Sequence, residues 1–291
     1  MSTRVDHVPF EIVPVRVAEP GLAQDIRGVK VVLQRELIRF AQDRTRMISA
    51  LIQPILFLFV LGNGLSSLTR GATGGVDLKT FMFPGVLATS TLFTAVFSAV
   101  SIVWDREFGF LREMLVAPVS RGSIMIGKCL GGATVATLQG CLVLALAGLV
   151  HVPYSPVMIV TLIGEVFLLS FMLTALGLVI AARIQQMQAV MGIMQMLLLP
   201  LSFLSGALYP MRNLPGWLGL IVRINPITYA VHAVRSNVFS HLNVSKQALD
   251  ALNPPLTWGS YVVPIWLQLT IVGVIGLALM GVAIAQFNRA E

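Results

Sequence analysis

The chain has 291 residues, of which 56% are hydrophobic and only 11% are charged, and its formal net charge at pH 7 is +7. Together with a mean hydropathy of +0.84, this composition excludes an ordinary soluble globular protein, in which about a quarter of the residues are charged. The length and composition predict an integral membrane protein with a single polytopic domain.

The first two segments lie before any apolar run. Residues 1–21 carry prolines and charges, and we expect a cytoplasmic tail. Residues 22–46 predict an amphipathic helix, because apolar residues recur at helical spacing and basic residues occupy much of the remainder. The apolar positions are Ile26, Val29, Leu33, Leu37 and Phe40. We expect this helix to lie on the cytoplasmic leaflet near anionic headgroups, and packing against protein is the alternative.

Six apolar runs follow, each near or above the roughly 20 residues that an α-helix needs to cross a bilayer core. They lie at about 47–67, 81–104, 129–149, 157–182, 187–209 and 261–286. An even number of spans places both termini on the same side of the membrane. Most Lys and Arg residues fall on that side, so the positive-inside rule makes the termini and the loop at 105–128 cytoplasmic. Basic residues that flank spans argue against a nucleic-acid surface, and no nucleic acid partner is expected.

The cytoplasmic loop at 104–128 predicts a short amphipathic helix. Phe108, Leu111 and Leu115 fall on one helical face with charges on the other, and Pro118 marks a stop. An apolar face that is offered to the cytoplasm by a chain without a soluble domain needs a partner surface. An ordinary solvated loop helix is the alternative.

The end of the same loop contains an incomplete phosphate-loop pattern. Gly122, Gly127 and Lys128 match G-x-x-x-x-G-K-[ST], but Cys129 replaces the hydroxyl residue that binds magnesium. A working loop also needs a preceding strand within an α/β domain. We therefore expect no nucleotide site, no catalytic residue and no metal site in this chain. The glycines instead suit close helix packing, with Lys128 reaching to the membrane interface.

Glu165 is the only carboxylate that the predicted spans place clearly within the membrane. An ionisable residue there is costly and suggests a transport pathway or an interhelical hydrogen bond. The alternative is a protonated carboxyl, or one that a neighbouring hydroxyl or a glutamine such as Gln139 or Gln195 satisfies.

The outer stretch at 210–259 predicts one or two short helices that dip into the outer leaflet. Asn225 followed by Pro226 is a helix start signal. Trp217 and Tyr229 have the residue types of interface anchors. The histidines of this face are expected to be solvent-exposed: His151, His232 and His241.

Two sequence motifs resemble those of a known family. The cytoplasmic loop reads DREFGFLREMLVAPVSR at 105–121, and the outer segment reads NPITYAVHAVR at 225–235. With the preceding helix and six spans, they are similar to the type-two ABC-transporter permeases, particularly the daunorubicin-resistance-like branch that exports drugs and lipids. The resemblance covers about 22–288. It implies an all-α integral membrane fold: six transmembrane helices in a permease domain at 47–288, an N-terminal interfacial helix, a cytoplasmic coupling helix, and short outer re-entrant helices before the last span.

The resemblance also implies roles and partners. The loop would be the coupling helix that docks in a groove of a soluble ABC ATPase subunit, present in two copies, which binds ATP and Mg. Its residues are Glu107, Phe108, Gly109, Leu111, Glu113 and Leu115. The outer re-entrant helix would carry Asn225, Pro226 and Tyr229. A second permease half, from the same chain or a paralogue, would complete the pathway among the membrane lipids, and the chain itself would hold no cofactor.

These inferences predict a multi-pass permease of the bacterial plasma (inner) membrane. It would move amphipathic drugs, lipids or polyketide-like molecules outward with ATP hydrolysed by its partner, and Glu165 is a candidate for the pathway. Two other functions remain open from the residues alone: an ion- or proton-coupled secondary transporter, and a membrane assembly factor. A neighbouring reading frame that encodes a soluble ATPase would favour the first function.

Overall fold

The computed structural model of the protein describes residues 21–64, 77–116, 119–209, 211, 214–242 and 252–290. Among these residues, five helices are long and apolar enough to cross a membrane: Met47–Gly64, Leu78–Glu107, Arg121–Leu144, Pro156–Arg183 and Ile265–Arg289. A further apolar helix, Met187–Phe203, has 17 residues. Its length of about 25 Å is less than the roughly 30 Å of a hydrocarbon core. The all-α membrane fold is confirmed, and the predicted tail at 1–20 lies outside the described residues.

The described helices, in chain order, are α1 (Leu22–Gln42), α2 (Arg44–Ile55), α3 (Leu78–Ser98), α4 (Ser101–Glu107), α5 (Phe110–Val116), α6 (Arg121–Leu144), α7 (Pro156–Arg183), α8 (Met187–Phe203), α9 (Gly216–Ile224), α10 (Pro226–Ser240) and α11 (Ile265–Ala290). Helix α2 continues as a π-helix (Leu56–Leu61) and one α-helical turn (Gly62–Gly64), and a short 3₁₀ helix (Ala147–Val150) follows α6. Helices α3 and α4 together form the span Leu78–Glu107.

Helix α7 forms the centre of the bundle and contacts α3, α6, α10 and α11. Its side chains are apolar on nearly all sides, as expected for a buried membrane helix. Glycines bring its neighbour α6 close: a Cβ on Gly132 would contact Thr174 of α7 at 2.8 Å, and one on Gly140 would contact Val166 at 3.1 Å. Small residues of α6 thus let it approach α7 closely, as small residues do between membrane helices.

The third predicted span is displaced along the chain. Helix α6 begins at Arg121 rather than near 129, because Ser120 has extended backbone and its side chain accepts a hydrogen bond from the Ser123 amide at 3.2 Å. It ends at Leu144 rather than near 149. The whole phosphate-loop match thus lies in α6 itself, and not in a loop that follows a strand and opens a helix, as a working phosphate loop requires.

Two other predicted boundaries also move for local reasons. The fifth apolar run was predicted to continue to 209, but α8 ends at Phe203, and Gly206 beyond it has φ +70°. The sixth was predicted to begin at 261. There β1 (Thr257–Trp258) pairs with β2 (Tyr261–Val262) in a small antiparallel hairpin, and α11 begins only at Ile265.

Candidate functional site

Helix α1 packs along α6 at the end of the bundle that also carries α4 and α5, here called the basic end. Val32, Glu36 and Phe40 are its buried residues. A Cβ on Gly127 would lie 2.8 Å from Val32, and one on Gly131 would lie 2.9 Å from Glu36, so the glycines of α6 admit α1 closely. The alternative that α1 packs on protein is therefore correct for this face. Its other face exposes apolar side chains, which leaves room for membrane contact.

A second contact fixes the start of α1 to the start of α6. The Asp25 carboxylate accepts a hydrogen bond from the Ser120 backbone amide at 2.8 Å. Ser120 is the residue that caps α6. Hydrogen bonds from Ser120 hold the pKa of Asp25 below its usual range, because they favour the ionised carboxylate. The two helices are thus joined by polar contacts as well as by packing.

Four charged side chains meet between α1, α4 and α6 and form what we call the buried ion cluster: Arg35, Glu36, Asp105 and Lys128. The Lys128 ammonium donates to the Glu36 carboxylate at 2.6 Å and to the Ser101 hydroxyl at 3.1 Å, and it also pairs with Asp105. Arg35 pairs with Asp105 from α1. The side chains of Lys128 and Asp105 are 1% and 0% exposed. Charges so deeply buried are tolerated only because each has an opposite partner.

The buried ion cluster corrects two expectations. Lys128 does not reach to the membrane interface, because Glu36 and Asp105 hold its ammonium inside the protein. Glu165 is not the only carboxylate buried in a span, since Asp105 lies in the last turn of the span Leu78–Glu107 and is fully buried. One sequence signal could have indicated the cluster: Glu36 lies four residues from both Val32 and Phe40, within the buried stripe of α1.

The three residues that end α4 each contact a different part of the bundle. Asp105 joins α1 and α6 through the buried ion cluster. The Arg106 guanidinium donates to backbone carbonyls at the C-terminal end of α7, including that of Ile184 at 3.4 Å. Glu107 accepts a hydrogen bond from the Met187 amide at the start of α8, at 3.2 Å. The end of α4 is therefore fixed to four other helices.

The chain breaks its helix immediately after these contacts. Helix α4 ends at Glu107, Gly109 has φ +82°, and α5 begins at Phe110. A left-handed backbone is strained for residues with a Cβ, so glycine suits this turn. The short helix predicted in the loop at 104–128 is present as α5, but the expectation that one helical face carries Phe108 together with Leu111 and Leu115 is wrong, because the break separates Phe108 from α5.

The break also removes the predicted apolar ridge. Phe108 is 66% exposed, but Leu111 is only 2% exposed and belongs to the main hydrophobic core. The side chain of Leu115 lies outside the described residues, and Glu113 is exposed. Among the described side chains of 107–116, the exposed apolar ones are Phe108, Phe110 and Val116, here called the exposed apolar surface.

A groove lies beside the exposed apolar surface, between α1 and α5. Its volume is about 600 Å³, and its lining includes Arg35, Ile38, Arg39 and Phe110. The Arg35 guanidinium stands over the Phe110 ring, 5.8 Å from its centroid, which is cation–π geometry. The groove therefore combines an aromatic ring, an aliphatic side chain and charges, as a protein-binding surface does.

Glu165 lies in the middle of the bundle, on α7. It is buried beside the side chain of Asn237 from α10, and its Oε2 has no hydrogen-bond partner among the described residues. Asn237 in turn donates to the Thr161 hydroxyl at 2.7 Å. Neither Gln139 nor Gln195 is its partner in the described part of the chain: Gln139 has no hydrogen bond there, and Gln195 is exposed.

We predict that Glu165→Gln keeps the fold and transport, because an amide has nearly the same shape as the carboxyl and carries no buried charge. Glu165→Lys should lower both, since it buries a cation that has no carboxylate beside it. Expression, thermal unfolding and transport in vesicles measure these effects. If Gln abolished transport in well-folded protein with normal ATP turnover, Glu165 would instead be a pathway residue.

At the opposite end of the bundle, the helix start predicted at Asn225 is confirmed. The Asn225 side chain accepts a hydrogen bond from the Ile227 amide at 3.1 Å, and Pro226 occupies the first turn of α10. Tyr229 is buried and donates to the Arg223 carbonyl at 2.7 Å, so its expected role as an exposed interface anchor is wrong. Trp217 is exposed, as an anchor requires.

His232 was expected to face solvent, and this expectation is also wrong. Its side chain is buried in α10, with ring nitrogens 3.0 Å from the Gln268 amide oxygen and 3.3 Å from the Pro254 carbonyl. It joins α10 to α11 and to the segment before the hairpin. Across the described residues, no group of three or more His, Cys, Asp or Glu could hold a metal ion.

Comparison with known proteins places these features in context. The model of the ABC-2 type transporter family matches residues 27–239. A transport permease named ycf38 from Cyanophora paradoxa is 27% identical over 219 residues, which cover 74% of this chain and 75% of that protein. A Mycobacterium tuberculosis protein, DrrC, named as a doxorubicin resistance ABC transporter permease, is 29% identical over 78% of this chain and 83% of its own length. Escherichia coli YbhR, named as a multidrug ABC transporter permease, is 28% identical over 74% of this chain and 54% of its own length.

Proposed function

This chain belongs to the ABC-2 type transporter family, as a non-catalytic membrane permease subunit, and we propose that it exports amphipathic molecules with ATP hydrolysed by a separate ATPase. The names of DrrC and YbhR support drugs as cargo, and lipids and polyketide-like molecules share the same amphipathic chemistry. The partner ATPase would be a soluble ABC subunit in two copies that binds ATP and Mg. A second permease half, from a copy of this chain or a paralogue, would complete the pathway in the bilayer.

The basic end would face the cytoplasm of a bacterial inner membrane, with both termini on that side, because most Lys and Arg residues flank it. The exposed apolar surface of Phe108, Phe110 and Val116 and the adjacent groove would then meet the ATPase. Glu107 and Glu113 are exposed beside this surface and supply charge at its rim.

One observation supports coupling at this surface most strongly: the residues directly before it hold four helices. When the ATPase subunits close on ATP, they would displace the turn at Phe108 and Gly109. Asp105 would pass this displacement to α1 and α6, Arg106 to the end of α7, and Glu107 to the start of α8. The helices would then move together as rigid bodies, since packed interiors transmit displacement rather than absorb it.

The ATPase requirement can be tested on the purified chain. We expect that it neither binds nor hydrolyses ATP alone, because the only phosphate-loop match lies in the regular helix α6. ATP-dependent movement of doxorubicin, used as an amphipathic probe, should appear only when the ATPase is added. Saturable binding of ATP by the chain alone, measured by isothermal titration calorimetry, would contradict the proposal that only a separate subunit binds ATP.

A further inference from the structure

The end of α8 that lies opposite the basic end is held by side chains of another helix. Asn225 donates to the Leu201 carbonyl at 2.9 Å, and Thr228 donates to the Leu204 carbonyl at 3.4 Å. One nitrogen of Arg235, Nη2, donates to the carbonyls of both Gly206 and Ala207, each at 2.8 Å. Thr228 and Arg235 belong to α10, and Asn225 is the residue that caps its start.

These contacts satisfy backbone carbonyls at the end of α8 and directly beyond it. The last carbonyls of a helix have no partner within that helix and must be satisfied by other groups when they are buried. Residues 205–207 are buried directly beyond α8. Side chains of α10 supply the donors, so the position of this segment depends on α10 rather than on α8 itself.

Arg235 is an unusual residue for this task. It is fully buried, and among the described residues no carboxylate pairs with it and its Nε and Nη1 have no hydrogen-bond partner. Its guanidinium stands 5.0 Å from the centroid of the Phe81 ring, on α3, which offsets part of the desolvation. Burying an arginine without a carboxylate is costly, and within the described residues the Arg235 side chain hydrogen-bonds only to the segment after α8.

The same segment is pressed against α3 on its other side. Gly85 of α3 faces Ala207 so closely that a Cβ at Gly85 would overlap the Ala207 carbonyl. The carbonyls that Arg235 holds therefore lie in a narrow space between α3 and α10. Outside this space α8 is mostly exposed along its length, with Val190, Met194, Leu198 and Ser202 as its buried residues.

We propose that Arg235 is a positioning residue that holds the segment 204–207 buried between α3 and α10. This contact, here called the latch, would keep the segment in place until ATP-driven movement releases it. The consequence for transport rests on the proposed function. The latch itself is a property of this chain, and it can be measured without an ATPase or a cargo.

The test measures how often the latched segment opens. Ser205 is fully buried, so Ser205→Cys in a background with Cys129→Ala and Cys141→Ala places one thiol within the latch. The chain is inserted in lipid nanodiscs, where both ends are accessible, and labelled with a water-soluble maleimide. We expect slow labelling with Arg235 present and at least tenfold faster labelling after Arg235→Gln.

Three further variants separate latching from general destabilisation. His232→Gln alters another buried polar residue of α10, one that bonds Gln268 and Pro254 instead, and should leave the labelling rate within about twofold. Arg235→Lys keeps a donor and should give an intermediate rate. Gly85→Ala displaces the Ala207 carbonyl and should raise labelling even though Arg235 is intact.

Equal labelling of the Arg235 and Arg235→Gln proteins would overturn the latch, and so would an equal increase from His232→Gln. If Arg235→Gln does not fold, the comparison of Arg235→Lys and Gly85→Ala with the parent protein decides the question. Labelling as expected in a chain that shows no ATP-dependent export would leave the latch intact and contradict only the proposed transport function.

Discussion

Replacing Phe108 and Phe110 by alanine together should separate the permease from its ATPase while leaving the membrane bundle folded. Both rings are exposed, at 66% and 48%, so their loss opens no cavity in the chain. Because the two rings are already partly buried, their remaining burial in a partner groove contributes about 2–3 kcal/mol. We therefore expect ATPase association to weaken by about thirtyfold to a hundredfold, and ATP-dependent export to stop.

Two variants serve as controls in the same co-purification and export assays. Leu220→Ala with Ile221→Ala removes two exposed apolar side chains from α9, at the other end of the bundle, and should leave ATPase association unchanged. Leu111→Ala truncates a core residue. We therefore expect it to lower the free energy of unfolding by about 2–5 kcal/mol rather than to act at the ATPase contact. If the Phe108 and Phe110 double variant kept full association and full export, the ATPase would have to dock elsewhere, with α1 as the next candidate.

Lys128→Met should destabilise the basic end strongly. The substitution leaves the carboxylates of Glu36 and Asp105 buried without their shared ammonium. Removal of one partner from a buried ion pair costs about 3–5 kcal/mol. We expect a lower unfolding temperature, faster hydrogen exchange in α1, and fewer cargo molecules moved per ATP, because α4 is no longer fixed to α6.

Arg183→Met is the matched control, since Arg183 is a basic residue at the same end of the bundle but is exposed. This substitution should change the free energy of unfolding by less than about 0.5 kcal/mol. Asp105→Asn combined with Lys128→Met completes a double-mutant cycle. If the two residues act as one unit, the double variant should be less destabilised than the sum of the single variants. If the two single changes in the free energy of unfolding simply added up in the double variant, the buried ion cluster would not couple α4 to α6.

The membrane fold was predictable because apolar runs and helix start signals act locally. The run at 157–182 became α7, Pro156–Arg183, since Pro156 suits a first helical turn. The Asn225-Pro226 pair likewise started α10. The third span was misplaced because Gly122 and Lys128 read as a loop and an interface, although Ser120 had already capped the helix. A composition window cannot detect a cap that begins a helix among polar residues.

The polar interior could not be predicted from one sequence. Lys128 and Asp105 each looked like residues at the end of an apolar run, and only their meeting in space makes them a pair. Arg235 and His232 looked like residues of an outer loop, but α10 is buried among α3, α7 and α11. Likewise, Leu111 joined the core because Gly109 turns the chain, which helical spacing alone does not indicate. Long-range packing decides such positions, and periodicity describes only the local chain.

The most direct test of the central claim measures the energy source of transport. Proteoliposomes that contain the chain with its ATPase should move doxorubicin when ATP is supplied on the ATPase side, without any ion gradient. The Phe108→Ala with Phe110→Ala variant should lose this movement. Proteoliposomes with the chain alone should move none under an imposed proton or sodium gradient. Gradient-driven movement by the chain alone, unaffected by the double substitution, would contradict the account and identify a secondary transporter.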